Sequence, residues 1–200
     1  MRITIWFLLI LTLVSSLAWS NQHTLQSRDL FDLQYVRDVE ISPDGQQIVY
    51  VRAIHDIMCD CVRSNLWQVN ADGSEHQPLK SDRGNYSSPK FSPSGDRLAY
   101  VARDAAGKTQ LFVHWLDSGQ TAMITNLVES PSSITWSPDG DSIAFSMRVP
   151  AEKPSLAKPP QKPEGANWAA PPVVIDAVVY RFDGRGYLKP GFNHIFVVPA

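Results

Sequence analysis

Three short windows of the chain carry the same order of apolar and polar positions. Each begins on a large apolar residue (Ile41, Phe91 or Trp136), passes through Ser-Pro-Asp-Gly or Ser-Pro-Ser-Gly, and ends on Ile48-Val49-Tyr50, Leu98-Ala99-Tyr100 or Ile143-Ala144-Phe145. The closing aromatic stands eight residues after the turn serine every time, so the register of the repeat is firm. The polar centre has the chemistry of a tight turn. Proline presets φ at the first central position, Asp or Ser bonds to nearby backbone, and Gly takes a left-handed conformation that costs other residues roughly 1–2 kcal/mol. Apolar runs flanking such a turn predict a β-hairpin.

A second element follows in each unit. Residues 65–73 (NLWQVNADG) and 111–119 (LFVHWLDSG) are β-rich runs closed by Gly-containing turns, and each leads into another short segment, EHQPLK or TAMITN. The turn serines Ser42, Ser92 and Ser137 set periods of 50 and 45 residues. Four short antiparallel strands per period of about 45 residues is the pattern of a β-propeller blade. The predicted fold class is therefore all-β, with about three four-stranded blades of an incomplete propeller over residues 41–200. One such sheet has two apolar faces to bury, and stacked neighbours bury them.

The third unit is interrupted. Seven of the 23 residues from Pro150 to Pro172 are proline, a density that predicts an exposed, extended insertion rather than a ladder strand. The blade is expected to resume with VVIDAVVYRFDGRGYL, and HIFVVPA takes the place of LWQV and LFVH in the earlier units. Three units are fewer than the four to eight blades of known propellers, and the apolar strand from Ile195 to Val198 would leave an exposed edge. The expectation is a chain that forms the front part of something longer. Ahead of the first turn, residues 21–40 form a leading segment. Leu30, Phe31, Leu33, Tyr35 and Val36 lie near helical spacing behind Ser27, which fits a short helix or a lid segment of a propeller.

The apolar stretch Ile3–Val14, followed by small and polar residues, reads as a signal peptide spanning 1–20, with cleavage after Ser20 or Ala18; an uncleaved anchor is the alternative. The remainder is expected to be exported, to the periplasm or beyond, with no membrane association after cleavage. Eighteen Lys and Arg against 20 Asp and Glu leave no basic surplus for nucleic acid. Cys59 and Cys61 are separated by one residue, too few for an easily made mutual bridge, so the segment reads as a strand connection containing thiols. His55 and Asp56 stand nearby, yet a closed zinc site takes four ligands and the other histidines are scattered, so neither a metal nor a cofactor is expected. His23, His55, His76, His114 and His194 have no spacing that pairs them with a serine, and no catalytic residue is assigned. In RFDGRGY, Arg181 and Arg185 flank a turn. They read as solvated charges on a hairpin or as weak candidates for meeting a substrate carboxylate.

The lead-in DLFDLQYVRDVEISPDGQQIVYVR, the phrase RSNLWQVNADG, the repeated FSPSGDRLAYVAR and WSPDGDSIAFSMR, and VVYRFDGRGYL with HIFVV together resemble the N-terminal propeller of the prolyl oligopeptidase family. The acylaminoacyl-peptidase and dipeptidyl-peptidase-like branch is the nearest in kind, and the likeness covers residues 27–200. The Ser-Pro-Asp-Gly repeat alone is also similar to TolB-type periplasmic propellers, which bind partners and catalyse nothing. The peptidase resemblance implies a serine exopeptidase or oligopeptidase acting on short peptides, with this region gating access to a C-terminal α/β-hydrolase domain. These residues contain no G-x-S-x-G nucleophile elbow, so none of the family's catalytic triad carries over to them. The alternative is a non-enzymatic propeller that binds protein or envelope partners. The sequence sets neither the oligomeric state nor the peptide specificity.

Overall fold

The computed structural model describes residues 24–151, 160–169, 172–183 and 186–200. The segment read as a signal peptide lies outside the described residues. The fold is all-β. Sheet 1 is formed by β1 (Gln34–Ile41), β2 (Gln47–Asp56), β3 (Cys61–Asn70) and β4 (Gln77–Lys80), in chain order. Sheet 2 repeats that meander with β5 (Ser87–Phe91), β6 (Arg97–Arg103), β7 (Thr109–Trp115) and β8 (Thr121–Met123). Short β11 (Arg181–Phe182) and β12 (Gly186–Tyr187) make a separate hairpin. Sheet 3 joins β9 (Ser132–Trp136) and β10 (Ser142–Pro150) to β13 (Gly191–Pro199). These are antiparallel propeller blades.

The three turns between first and second strands share one set of hydrogen bonds. The turn serine's amide donates to the carbonyl five residues on, at 2.8 Å in each copy (Ser42 to Gln47, Ser92 to Arg97, Ser137 to Ser142). Its hydroxyl accepts the amide of that same residue at 2.8, 3.0 and 3.0 Å. Gly45, Gly95 and Gly140 take φ of 73, 77 and 77°, the left-handed conformation the sequence requires there.

Packing follows the alternation along the strands. In β6, Leu98, Tyr100 and Ala102 face sheet 1, where they bury Val49, Val51 and Leu66. Ala99 and Val101 face the other way and, with Leu111 and Val113 of β7, pack on Ile134, Ile143, Phe145 and Met147 of sheet 3. Sheet 2 is covered on both faces, which is why β6 is apolar at five successive positions. Cross-strand aromatic pairs recur: Tyr100 stacks on Phe112 and Phe145 on Phe196, each with ring centroids 5.6 Å apart.

Three departures from the sequence reading have physical causes. β10 has β9 on one edge and β13 on the other, the latter paired from Ser142↔Pro199 to Pro150↔Gly191. β10 has no edge left for residues 173–179, and this β-branched stretch, expected to resume the blade, forms no strand; Val173, Val174, Ile175, Val178 and Val179 stay exposed. The leading segment forms a 3-10 helix at Ser27–Asp32, where Asp29 accepts the Gln26 amide at 2.9 Å, and then turns extended at Leu33 (φ −75°, ψ 133°). Tyr35 and Val36, residues of high strand propensity, enter β1 instead of prolonging a helix. Cys59 and Cys61 form a disulfide, not a pair of thiols. Between them Asp60 adopts φ 48°, folding the chain so that the cysteine Cα atoms approach to 5.1 Å, within the ordinary range for a bridge. The described residues up to Gln34 and the hairpin tip 54–62 make one compact unit; residues 35–53 and the described residues of 63–200 make another.

Candidate functional site

The first strands of the blades are placed side by side. Trp136 Nε1 of β9 donates to the Lys90 carbonyl of β5 at 2.9 Å. Lys90 Nζ in turn lies 2.6 Å from Glu40 Oε2 of β1. Four residues before each turn serine, Asp38, Ser88 and Ser133 take φ of 50, 52 and 52°. Left-handed residues other than glycine carry strain of about 1–3 kcal/mol each. The strand register breaks at the last two, between Ser87 and Lys90 and between Ala144 and Ser146 on the partner of β9, as expected of a bulge that re-aims the strand. Asp38 Oδ2 accepts the Ser88 amide at 3.1 Å, so one blade's bulge holds the next. Sequence reasoning missed this feature. Its only signal was a short polar residue at one repeat position, four before the turn serine.

A concavity of about 260 Å3 lies between sheets 1 and 2, lined among others by Lys80, Asp82, Tyr86, Tyr100, Arg103 and Thr121. Tyr86 donates to Asp82 Oδ1 at 2.6 Å. Burial first, and then that carboxylate, push the Tyr86 phenol well above its ordinary range; burial pushes Tyr100 up to about 12. Both therefore remain hydrogen-bond donors at any physiological pH. Lys80 Nζ donates to Thr121 Oγ1 at 3.0 Å. His114 is buried in sheet 2 with Nδ1 2.8 Å from the Gln120 carbonyl and 2.9 Å from Thr121 Oγ1. Burial, aided by Lys80, lowers its pKa against the opposing effect of the Gln120 bond. The lining sets Lys80 and Arg103 among Asp82 and Asp104, so the chemistry on offer is hydrogen bonding and mixed charge.

The sequence candidates fall elsewhere. Arg181 is exposed on β11, opposite Tyr187, with its guanidinium carbon 6.0 Å from that ring. Arg185 lies outside the described residues. Beside the hairpin, Ile175, Val179, Tyr180, Tyr187 and Leu188 border a groove of about 180 Å3. The histidines are not gathered: His76 Nε2 meets Tyr50 Oη at 2.6 Å, His194 faces Met147 across β13 and β10, and His23 lies outside the described residues. Among the described residues no group of three or more His, Cys, Asp or Glu is placed to hold a metal ion.

No protein-family model matches the chain. The chain is 25% identical over 170 residues to the uncharacterized peptidase YuxL of Bacillus subtilis, a match covering 85% of this chain and 25% of that protein. It is 31% identical over 123 residues to dipeptidyl-peptidase 5 of Aspergillus fumigatus, covering 53% of this chain and 17% of the relative. A shorter match, 32% identical over 80 residues, reaches TolB of Pseudomonas aeruginosa across 40% of this chain and 18% of that protein. Among solved structures, the acylaminoacyl peptidase of Pyrococcus horikoshii superposes with a TM-score of 0.62 over 84% of this chain and 24% of that one, at 15% identity, a likeness of fold. The chain thus spans a quarter or less of the length of these three relatives. It is a set of β-propeller blades similar in sequence to peptidases, in keeping with its resemblance to the N-terminal propeller of the prolyl oligopeptidase family.

Proposed function

We propose that these residues are the propeller region of an exported serine peptidase of the acylaminoacyl- or dipeptidyl-peptidase type, and that they restrict access to short peptides. The observation that carries this reading is the similarity to a peptidase along 85% of the chain, against 40% for TolB. The geometry agrees with it. First strands placed side by side, each bent by a left-handed residue, are suited to lining a narrow passage that admits an extended peptide and excludes a folded protein. Acyl transfer belongs to residues of the natural protein outside these 200.

In this reading Arg181, exposed on β11, and Arg185 contribute by pairing with a peptide carboxylate. The apolar N-terminus carries the chain out of the cytoplasm. The test is hydrolysis by the natural protein of peptides of graded length and of a folded protein containing the same cleavable sequence. Turnover of the short peptides alone is expected; equal cleavage of the folded protein would remove the gating role. R181A and R185A are expected to raise KM for peptides with a free carboxylate and to leave amidated peptides unchanged.

A further inference from the structure

The Ser-Pro-x-Gly turns stack through a repeated contact in which the proline of one turn meets the glycine of the next. A Cβ placed on Gly95 would lie 3.4 Å from Pro43 Cδ, and one on Gly140 would lie 3.7 Å from Pro93 Cδ. The two seams share a backbone frame, so the side chains that fill them compare position by position.

Between the second and third turns the filling group is Arg97, five residues after its turn serine. Its Nη2 donates to the Gly140 carbonyl at 2.8 Å and its Nη1 to the Ala200 carbonyl at 3.4 Å. The guanidinium lies over the Trp136 ring, 4.9 Å from its centroid, and Nε is 3.6 Å from Asp96 Oδ1. Between the first and second turns the same position is Gln47, which is shorter and uncharged. A cavity of about 550 Å3 stands there, lined among others by Ser42, Asp44, Gln47, Asn70, Ser94 and Gly95. Gly95 is the repeat equivalent of Gly140, whose carbonyl receives Arg97; Phe91, at the position of Trp136, is buried in the core and does not line the cavity. Asp44 adds a carboxylate at the cavity wall, held below its ordinary pKa by the Ser42 hydroxyl and the Gln46 amide.

We infer that this cavity is a binding site for a guanidinium group, receiving the arginine side chain of a polypeptide where Arg97 lies in the neighbouring seam. The inference does not depend on the peptidase reading. The frame that positions Arg97 is repeated, and the group that fills it is not. A planar fork of N–H donors matches the Gly95 carbonyl and the Asp44 carboxylate at the cavity wall together, whereas an ammonium offers a single point of charge.

The test is a titration of the protein with Nα-acetyl-arginine amide, following the backbone amide resonances of Asn70, Ser94 and Gly95, alongside the lysine and citrulline analogues. The arginine probe is expected to shift these resonances saturably, with the two analogues binding at least about ten-fold more weakly. In Q47R the protein's own guanidinium occupies the cavity, and the arginine response falls by about ten-fold or more. R97Q vacates the neighbouring seam, so new shifts appear at Ser137 and Gly140. Equal response to the lysine analogue, or an undiminished arginine response in Q47R with native spectral dispersion, would overturn the assignment.

Discussion

The seam between the first two turns and the seam between the second and third are built on one backbone frame and filled differently. In the latter Arg97 ties two blades through carbonyls and an aromatic ring; in the former Gln47 leaves a polar cavity. The lesson concerns which parts of a repeat are fixed. Hydrogen bonds that close each turn are preserved even where residues move. In the first and third turns the serine hydroxyl donates to the aspartate two residues on, at 2.5 Å. In the second turn a serine occupies that place, and Ser92 reaches Asp96 instead, at 2.9 Å. Side chains that project between blades are free to differ, and there the repeats acquire individual properties.

The comparison is most strongly tested at the aromatic that precedes each turn serine. Phe91 is buried, so F91A is expected to cost roughly 3–5 kcal/mol, read from urea unfolding. W136A, at a half-exposed site, costs about 2–3 kcal/mol and also removes the ring beneath Arg97. If W136A proves the more damaging, the third blade depends on its seam more than the second.

The turn glycines come next. All three lie at positive φ, so alanine costs about 1–2 kcal/mol at each. A Cβ on Gly140 would also stand 3.1 Å from Arg97 Nη2, one on Gly95 would touch Pro43 at 3.4 Å, and one on Gly45 meets nothing within 4 Å. Melting temperatures are therefore expected to fall in the order G140A, G95A, G45A, with G140A lowest. Equal losses would mean that the seams are not in contact through the glycines.

R97Q makes the second seam like the first and is expected to cost about 1–2 kcal/mol, from one charge-assisted hydrogen bond and one cation–π contact at a partly exposed site. Q47R brings a guanidinium to the Gly95 carbonyl and the Asp44 carboxylate and raises stability by about 0.5–1 kcal/mol. Chemical denaturation of both variants measures the two sides of the exchange.

The smallest effect is on pH dependence. His114 has a lowered pKa when folded and an ordinary one near 6.5 when unfolded, so the unfolded chain binds the extra proton first. Its contribution to stability is full above about pH 6.5 and is lost as pH falls from there toward the folded value. H114Q, which keeps a polar group beside Gln120 and Thr121, flattens stability between pH 7.5 and 5.5, as unfolding midpoints across that range would record. An unchanged slope would assign the dependence to other groups.

Much of the fold was legible because its signals are local. Ser42, Ser92 and Ser137 mark turns whose chemistry demands proline and glycine, and the aromatics at Tyr50, Tyr100 and Phe145 fix the strand register. β13 was also readable from its likeness to the third strands of the other blades. What escaped depends on contacts distant in sequence. The residues from Val173 to Val179 have the composition of a strand, but β10 had no edge to offer them. Tyr35 and Val36 fit a helical spacing, yet pairing with β2 decides their state. The left-handed residues Asp38, Ser88 and Ser133 carry no glycine to announce them, and the seam cavity emerges only when Gln47 is set against Arg97 in space. Arg181 reads in the sequence as a solvated charge on a hairpin, and it is exposed on β11 opposite Tyr187.

The central claim, that these blades belong to a serine peptidase, is tested most directly by treating the natural protein with a fluorophosphonate probe and mapping the modified residue by mass spectrometry. The account predicts a single labelled serine outside residues 1–200 and loss of peptide hydrolysis in step with labelling. A properly folded natural protein that takes up no label and cleaves no peptide would contradict it, and would favour a non-enzymatic propeller that binds partners.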